Sequence, residues 1–352
     1  MHLCAADLLK RHYIFGEESI RPMEENILVL FDKEEEYAYL MSEFLRTHED
    51  TPWEIHTYTT NTELLAKEKR AKISMLVVAE SVYAEELMTL HAGRTVILNE
   101  SGVLHFGQVP NIDKYQQAES VLKELLVQYM EIAGEGCLKL AHPFKTNFIG
   151  IYSPVRRCMQ TSVALAMCQT LAMEHRTLYL NFEHYVGITE LLPETSERDM
   201  ADLLYFLSAD QNKFRLRLKT MICRKGNLEY VPPMKSGQNL LTVLPGEWIG
   251  LLQRIEELGD YEYVVRDLSE SMQGLFDILR LCRNVFTLTA DDPISRRKLD
   301  QYEQVLALYE YQDILQKTSR HGIPKVHRYP GDLEQYTKGE IADYVRALIK
   351  EL

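Results

Sequence analysis

The sequence has 352 residues, 46% hydrophobic and 26% charged, and a formal net charge of −13. A chain this long outgrows a single ordinary core, so two domains are expected, with the composition of a globular protein. The acidic balance argues against general binding to nucleic acid or anionic lipid, which needs a basic field; Arg156-Arg157 and Arg296-Arg297-Lys298 are the local basic candidates.

The start of the chain carries no apolar core of signal-peptide length. No run approaches the roughly 18 apolar residues of a membrane span. A cytoplasmic protein without membrane insertion is therefore expected. The six cysteines form no Cys-x-x-Cys pair and have no histidine at zinc spacing. Residues 1–23 read as an N-terminal extension.

Asn26 to Asp32 is a short apolar run ending in an acid, which predicts a buried strand. Glu34 to Thr47 reads as a helix with Tyr37, Leu40, Met41, Phe44 and Leu45 on one face. Trp53 to Tyr58 alternates and suits a second strand, and Thr60-Asn-Thr-Glu is a capping pattern for a second helix. A third strand spans Ile73–Ala79, a helix Ser81–Leu90, a fourth strand Thr95–Leu98 and a fifth Val103–Phe106. Gln116 to Ala133 then has helical spacing of apolar residues. The alternation of strand and helix predicts an α/β domain over residues 24–133 with a mostly parallel sheet, and residues 134–146 read as a linker.

The second domain, residues 147–352, opens with a strand from Asn147 to Tyr152, a loop through Ser153-Pro154, and a helix entered at Thr161 or Ser162. Strand, tight loop and helix is the layout of a phosphate-binding loop. Further strands are expected at Thr177–Phe182, Tyr261–Asp267 and Asn284–Thr289. Helices are expected around Leu203–Leu207, over Pro293–Tyr311 and over Lys338–Leu352.

A working phosphate loop converges backbone N–H groups through glycines, neutralises charge with a lysine and holds magnesium through a hydroxyl. This loop keeps hydroxyls at Thr161 and Ser162 but has no glycine between Ser153 and Ser162, and Gln160 stands where a lysine is expected. Met159 would crowd the phosphates, and Arg156 and Arg157 supply positive charge on long side chains. Asn181-Phe-Glu183 and Asp267 end two apolar strands, where acidic magnesium-ordering and switch residues belong. His142, His175, His184, His321 and His327 have no carboxylate or cysteine at ligand spacing and read as surface or capping residues.

Two resemblances emerge from these stretches. Residues 24–133 resemble a receiver (flavodoxin-like) domain, with Asp32 offering one acid of the expected pair and Lys114 the expected lysine. Ala79 replaces the phospho-accepting aspartate, with Glu80 beside it, and Asn99 replaces the hydroxyl. The second domain resembles the MinD/ParA family of P-loop ATPases, through Ile151 to Ser162, Leu178 to Glu183, Asp202 to Leu207 and Tyr261 to Leu268. The two-domain chain as a whole is similar to the TadZ/CpaE-type proteins of Flp (Tad, type IVb) pilus assembly, whose loop reads roughly Ser-Pro-Val-Gly-Arg-Cys-Gly-Lys-Thr.

That resemblance implies two doubly wound α/β domains, ATP and Mg as cofactors, and a homodimer. It implies partners in pilus or secretion machinery at the cytoplasmic face, with polar or peripheral localisation through them. Candidate nucleotide-binding residues are Ser153, Arg156, Arg157, Gln160, Thr161, Ser162, Asn181, Glu183 and Asp267, with Thr161 and Asp267 for Mg. Val155 stands where MinD-type dimers carry a signature lysine. Losing a charge-assisted phosphate contact costs on the order of 1.5–3 kcal/mol, so weak binding and little hydrolysis are expected. The alternatives are an active ATPase using Arg156 or Arg157 and, behind it, a DNA-binding regulator.

Without the acceptor carboxylate no acyl phosphate can form in the first domain. The first domain therefore reads as a receiver-like fold used as a docking module: incubation of the protein with a small phosphodonor is expected to leave no label on residues 24–133, and label there overturns that reading.

Overall fold

The computed structural model describes residues 26–48, 51–69, 71–102, 109–132, 144–188, 198–209 and 211–352. The chain divides into two compact units, Met1–Ile97 and Leu98–Leu352. The extension, most of the linker and the strand expected at Val103–Phe106 lie outside the described residues.

The first sheet has the order β2-β1-β3-β4-β5, with β1 Ile27–Phe31, β2 Glu54–Tyr58, β3 Ile73–Ala79, β4 Ala92–Asn99 and β5 Asn111–Asp113. Strand β1 runs parallel to both β2 and β3. All five residues of β1 are buried, as expected for a parallel strand covered on both faces. Helices α1 (Glu35–Thr47) and α2 (Asn61–Glu68) lie between its strands in the chain, and α3 (Ala118–Met130) follows β5.

Three details differ from expectation. The segment Ser81–Leu90 forms two short 3-10 turns, Glu80–Val82 and Glu85–Thr89, because Ala84 between them is extended. Helix α1 buries Ala38, Met41, Ser42 and Leu45, whereas Leu40 faces solvent. Thr60 occupies the N-cap of α2 without a side-chain cap bond.

Asp32 closes β1, fully buried, and accepts a bond from the Glu34 N–H. Ala79 ends β3. Lys114 is buried and pairs with Glu100 at 2.7 Å.

The second sheet has seven strands in the order β12-β11-β6-β10-β7-β9-β8. These are β6 Asn147–Ile151, β7 Thr177–Asn181, β8 Cys223–Lys225, β9 Leu228–Tyr230, β10 Tyr263–Asp267, β11 Asn284–Thr289 and β12 Thr318–Gly322. The pairs are parallel except β8/β9. Helix α4 (Gln160–Leu171) is buried on almost every side, the mark of a helix enclosed by other elements. It packs on β10 and β7, under α11 (Gly339–Ile349) and the turn Leu333–Thr337.

Sequence reading left several elements unassigned: α6 (Gln211–Met221), α7 (Gly237–Thr242), α8 (Pro245–Leu258), α9 (Leu275–Leu281) and the strands β8, β9 and β12. Helix α5 (Met200–Tyr205) is capped by Asp199, whose carboxylate accepts from Ala201 N–H while Asp202 accepts from Asp199 N–H. Helix α10 spans Pro293–Leu308, with Asp292 bonding to Ile294 and Ser295 N–H.

The face of the sheet opposite α4 is filled by α8 and α9. Gly150 of β6 permits this approach, since a Cβ there would lie 2.6 Å from the Cys282 sulfur. Arg266 of β10 points into the same face, fully buried. It donates to the Cys282 sulfur at 2.8 Å and lies 4.6 Å from the Phe148 ring centroid, while its Nε and Nη1 have no partner among the described residues. Burial pushes its pKa down.

A guanidinium buried with two unmet donors destabilises the fold. Arg266→Met is therefore expected to raise the unfolding free energy by about 1–4 kcal/mol, read as a higher urea midpoint with an unchanged slope.

Candidate functional site

The strand order reverses at β6. The chain leaves β6 through α4 to reach β7 on one side, and leaves β10 through α9 to reach β11 on the other. Crevices at such switch points, beyond the carboxyl ends of the strands, hold ligands in open α/β sheets. Here the crevice is a cleft of about 550 Å³ bounded by the loop from Ser153 to Ser162, by Glu183 to Tyr185 and by Leu268 to Ser271.

The loop turns through left-handed backbone without glycines. Arg156 (φ 64°), Arg157 (φ 54°) and Met159 (φ 59°) are all left-handed. Each such residue costs roughly 1–2 kcal/mol, because Cβ crowds the next carbonyl. Helix α4 starts at Gln160, one residue before the expected entry. The backbone N–H groups of residues 157–162 have no hydrogen-bond partner among the described residues. Loop and helix N-terminus thus present consecutive donors to the cleft.

Side chains depart further from a nucleotide site. The Gln160 carboxamide turns inward: its oxygen accepts from Ser153 N–H at 2.8 Å, and its NH₂ donates to Asp267 Oδ1 at 2.6 Å, Leu268 O at 2.8 Å and Glu183 Oε1 at 3.3 Å. Asp267 has no exposed surface. Its other oxygen accepts from the Tyr179 hydroxyl at 3.2 Å and Asn181 Nδ2 at 3.1 Å. Burial raises its pKa, and hydrogen bonds from Gln160, Thr161 and Tyr179 draw it back down.

A carboxylate offers about four lone-pair directions, and three protein donors, from Gln160, Tyr179 and Asn181, lie within hydrogen-bond distance of it. Thr161 adds a further interaction, so Thr161 and Asp267 lie together as expected, and a magnesium ion would compete with the protein's own donors for Asp267. Among the described residues there is also no cluster of three His, Cys, Asp or Glu side chains able to hold a metal.

The arginines divide. Arg156 pairs with Glu270. Arg157 lines the cleft, exposed and with no ion pair among the described residues. Met159 leans on the core beside α4, and its sulfur accepts from the Tyr329 hydroxyl at 3.8 Å. Ser153 is tied down by donating to Leu288 O at 2.6 Å. Val155 packs against the core beside α4, and its carbonyl accepts from Lys298 at 3.3 Å. The Ser162 hydroxyl interacts with Tyr336.

Glu183 is half-buried, and its carboxyl is pushed up to about 7 from an ordinary value near 4.5. Burial is the main cause, followed by the charges of Asp267 and Glu270, with Arg156 opposing.

Sequence reading missed Glu270, Tyr179 and Leu268. Tyr179 had a signal: it stands two before Asn181, on the same face of β7. Three of the histidines have carboxylates beside them in space that sequence spacing does not show: His175 with Glu262, His321 with Glu351 and His327 with Glu340. The basic candidate at residues 296–298 is partly committed, with Arg296 paired to Asp291.

No protein-family profile and no curated protein matches the sequence. Solved structures align with parts of the chain. A ParA family ATPase from Chlorobium tepidum TLS aligns over 58% of this chain and 99% of its own at 13% identity, with a TM-score of 0.45. A plasmid partition protein from Borrelia burgdorferi B31 bound to AMPPNP aligns over 59% and 100% at 12% identity, TM-score 0.44. The MinC:MinD cell division protein complex of Aquifex aeolicus aligns over 50% and 68% at 13% identity, TM-score 0.39.

Two measurements test the site. Gln160→Ala strands the Ser153 N–H and removes a donor from a buried carboxylate, so it is expected to lower stability by about 2–4 kcal/mol. Glu183 holds its proton more tightly folded than unfolded, so stability falls as pH rises from about 4.5 to about 7. Glu183→Gln is expected to match the native protein at pH 4.5. Above pH 7 it should exceed the native protein by about 1–2 kcal/mol, allowing for screening of a half-buried group.

Proposed function

We propose that this chain is a positioning or scaffolding protein of the MinD/ParA kind, in which a receiver-like module is joined to a P-loop domain that hydrolyses little or no ATP. The observation that carries the reading is Gln160: a neutral carboxamide in the lysine's place, bonded to Asp267, Leu268 and Glu183. The loop's free N–H groups support retention of an anion site, and the missing lysine and the engagement of Asp267 by protein donors argue against stabilising a transferring phosphoryl group.

The finer assignment is to the TadZ/CpaE type of Flp (Tad) pilus assembly. It rests on the two α/β units and on the loop residues Ser153-Pro154-Val155 and Thr161. In that role the chain acts as a homodimer and binds pilus or secretion components at the cytoplasmic face, by which it is held at the membrane or a pole. A second reading is an active ATPase, and the unpaired Arg157 in the cleft favours it.

Calorimetric titration with ATP and a phosphate-release assay separate the two. Weak binding with no turnover is expected, and turnover lost on Arg157→Ala sinks the scaffold reading in favour of the second. The triple change Gln160→Lys, Arg156→Gly, Met159→Gly is expected to tighten ATP binding by about tenfold or more, the worth of one charge-assisted contact.

A further inference from the structure

We propose that the Gln160 side chain is a built-in substitute for the lysine and metal ion of a nucleotide site, holding the ends of β6, β7 and β10 together with no ligand bound. The inference rests on reading Ser153–Ser162 as a phosphate loop in shape, and it concerns how that site is regulated.

In nucleotide-dependent switches the loops after the strands are ordered by contacts to the γ-phosphate and its Mg²⁺. Here one neutral group bridges all three. Ser153 follows β6, Glu183 follows β7, Asp267 ends β10 and Leu268 follows it; the four contacts to Gln160 span 2.6–3.3 Å. The carboxamide is fully used, since its oxygen accepts and both hydrogens are shared among three acceptors.

Neighbouring bonds spread the clamp. Leu268 N–H donates to Ile151 O and Phe182 N–H to Asp267 O. Ser269 Oγ donates to Phe182 O at 2.7 Å, and the Asn181 side chain joins Tyr179, Asp267 and the Glu183 N–H. Beyond this web, Arg156 fastens the loop to Glu270. A metal ion would have to compete with the donors around Asp267. The surface formed by Glu183–Tyr185 and Leu268–Ser271 is thus held in one state and does not await nucleotide.

Amide hydrogen exchange on the full-length protein tests this. In the native protein, exchange at 182–185 and 267–271 is expected to change by less than about twofold between millimolar ATP with Mg²⁺, Mg²⁺ alone and EDTA. In Gln160→Lys those segments are expected to become protected about tenfold by ATP with Mg²⁺. In Gln160→Ala they exchange faster than native under every condition, while the central strand β3 of the first unit, a folding control, is unchanged. Strong ATP- and Mg²⁺-dependent protection of the native segments, or identical behaviour of the native protein and both variants, overturns the proposal. The loop itself, residues 157–162, reports nucleotide binding separately. Its failure to respond to ATP removes the anion site from the functional reading and leaves the clamp standing.

Discussion

Asp267 closes the central strand β10 with its carboxylate out of reach of water. A charge in such a place persists only when its lone pairs are met by donors, because desolvation otherwise favours the protonated form or the unfolded chain. Gln160, Thr161, Tyr179 and Asn181 supply those donors. Much of the site follows from this requirement. The start of α4 has to bring Gln160 inward, and β7 has to set Tyr179 and Asn181 on the face toward Asp267. Glu183 is left beside a buried negative charge, which is one reason its carboxyl holds a proton near neutrality.

The loop is the second constraint. Three side chains larger than alanine adopt left-handed backbone within four residues. Such conformations persist when the surroundings over-determine them. Here Cys158 is buried between them, Ser153 is anchored to β11 through Leu288 O, and Met159 leads into a helix packed on all sides. The loop's left-handed geometry is thus imposed by the strand before it and the helix after it, without glycines. Gln160 stands where a lysine is expected, and its carboxamide belongs to a hydrogen-bonded web.

Much of the fold could be read from the sequence because parallel strands buried on both faces leave unbroken apolar runs. Ile73–Ala79 and Asn284–Thr289 have the bounds expected for them, and β6, β7 and β10 differ from expectation only at their ends. Most of the unassigned elements share a cause; α8 is the exception, a 14-residue helix whose buried Trp248, Leu251, Leu252, Ile255 and Leu258 follow helical spacing. β12 reads Thr-Ser-Arg-His-Gly at a sheet edge, α6 carries cationic residues through its length, and α7 and α9 are a turn or two long. None has a period strong enough to stand out locally, and each is held by packing against neighbours remote in the chain. The 3-10 turns after β3 belong to the same group.

The sequence by itself determined the kind of site: which residues stand in the loop, which carboxylates end the strands, and that a lysine is missing. It did so because these depend on residue type and spacing along one strand-loop-helix unit. Where the Gln160 carboxamide goes was decided only by the tertiary structure. Its partners at Glu183 and Asp267 lie 23 and 107 residues away, and nothing local fixes a side chain's direction across that separation. The same holds for Arg156, which spacing alone offered to the phosphates and which folding gives to Glu270. Electrostatic pairing in a packed site is set by which strand ends the sheet brings together, and the sheet order is a property of the whole domain.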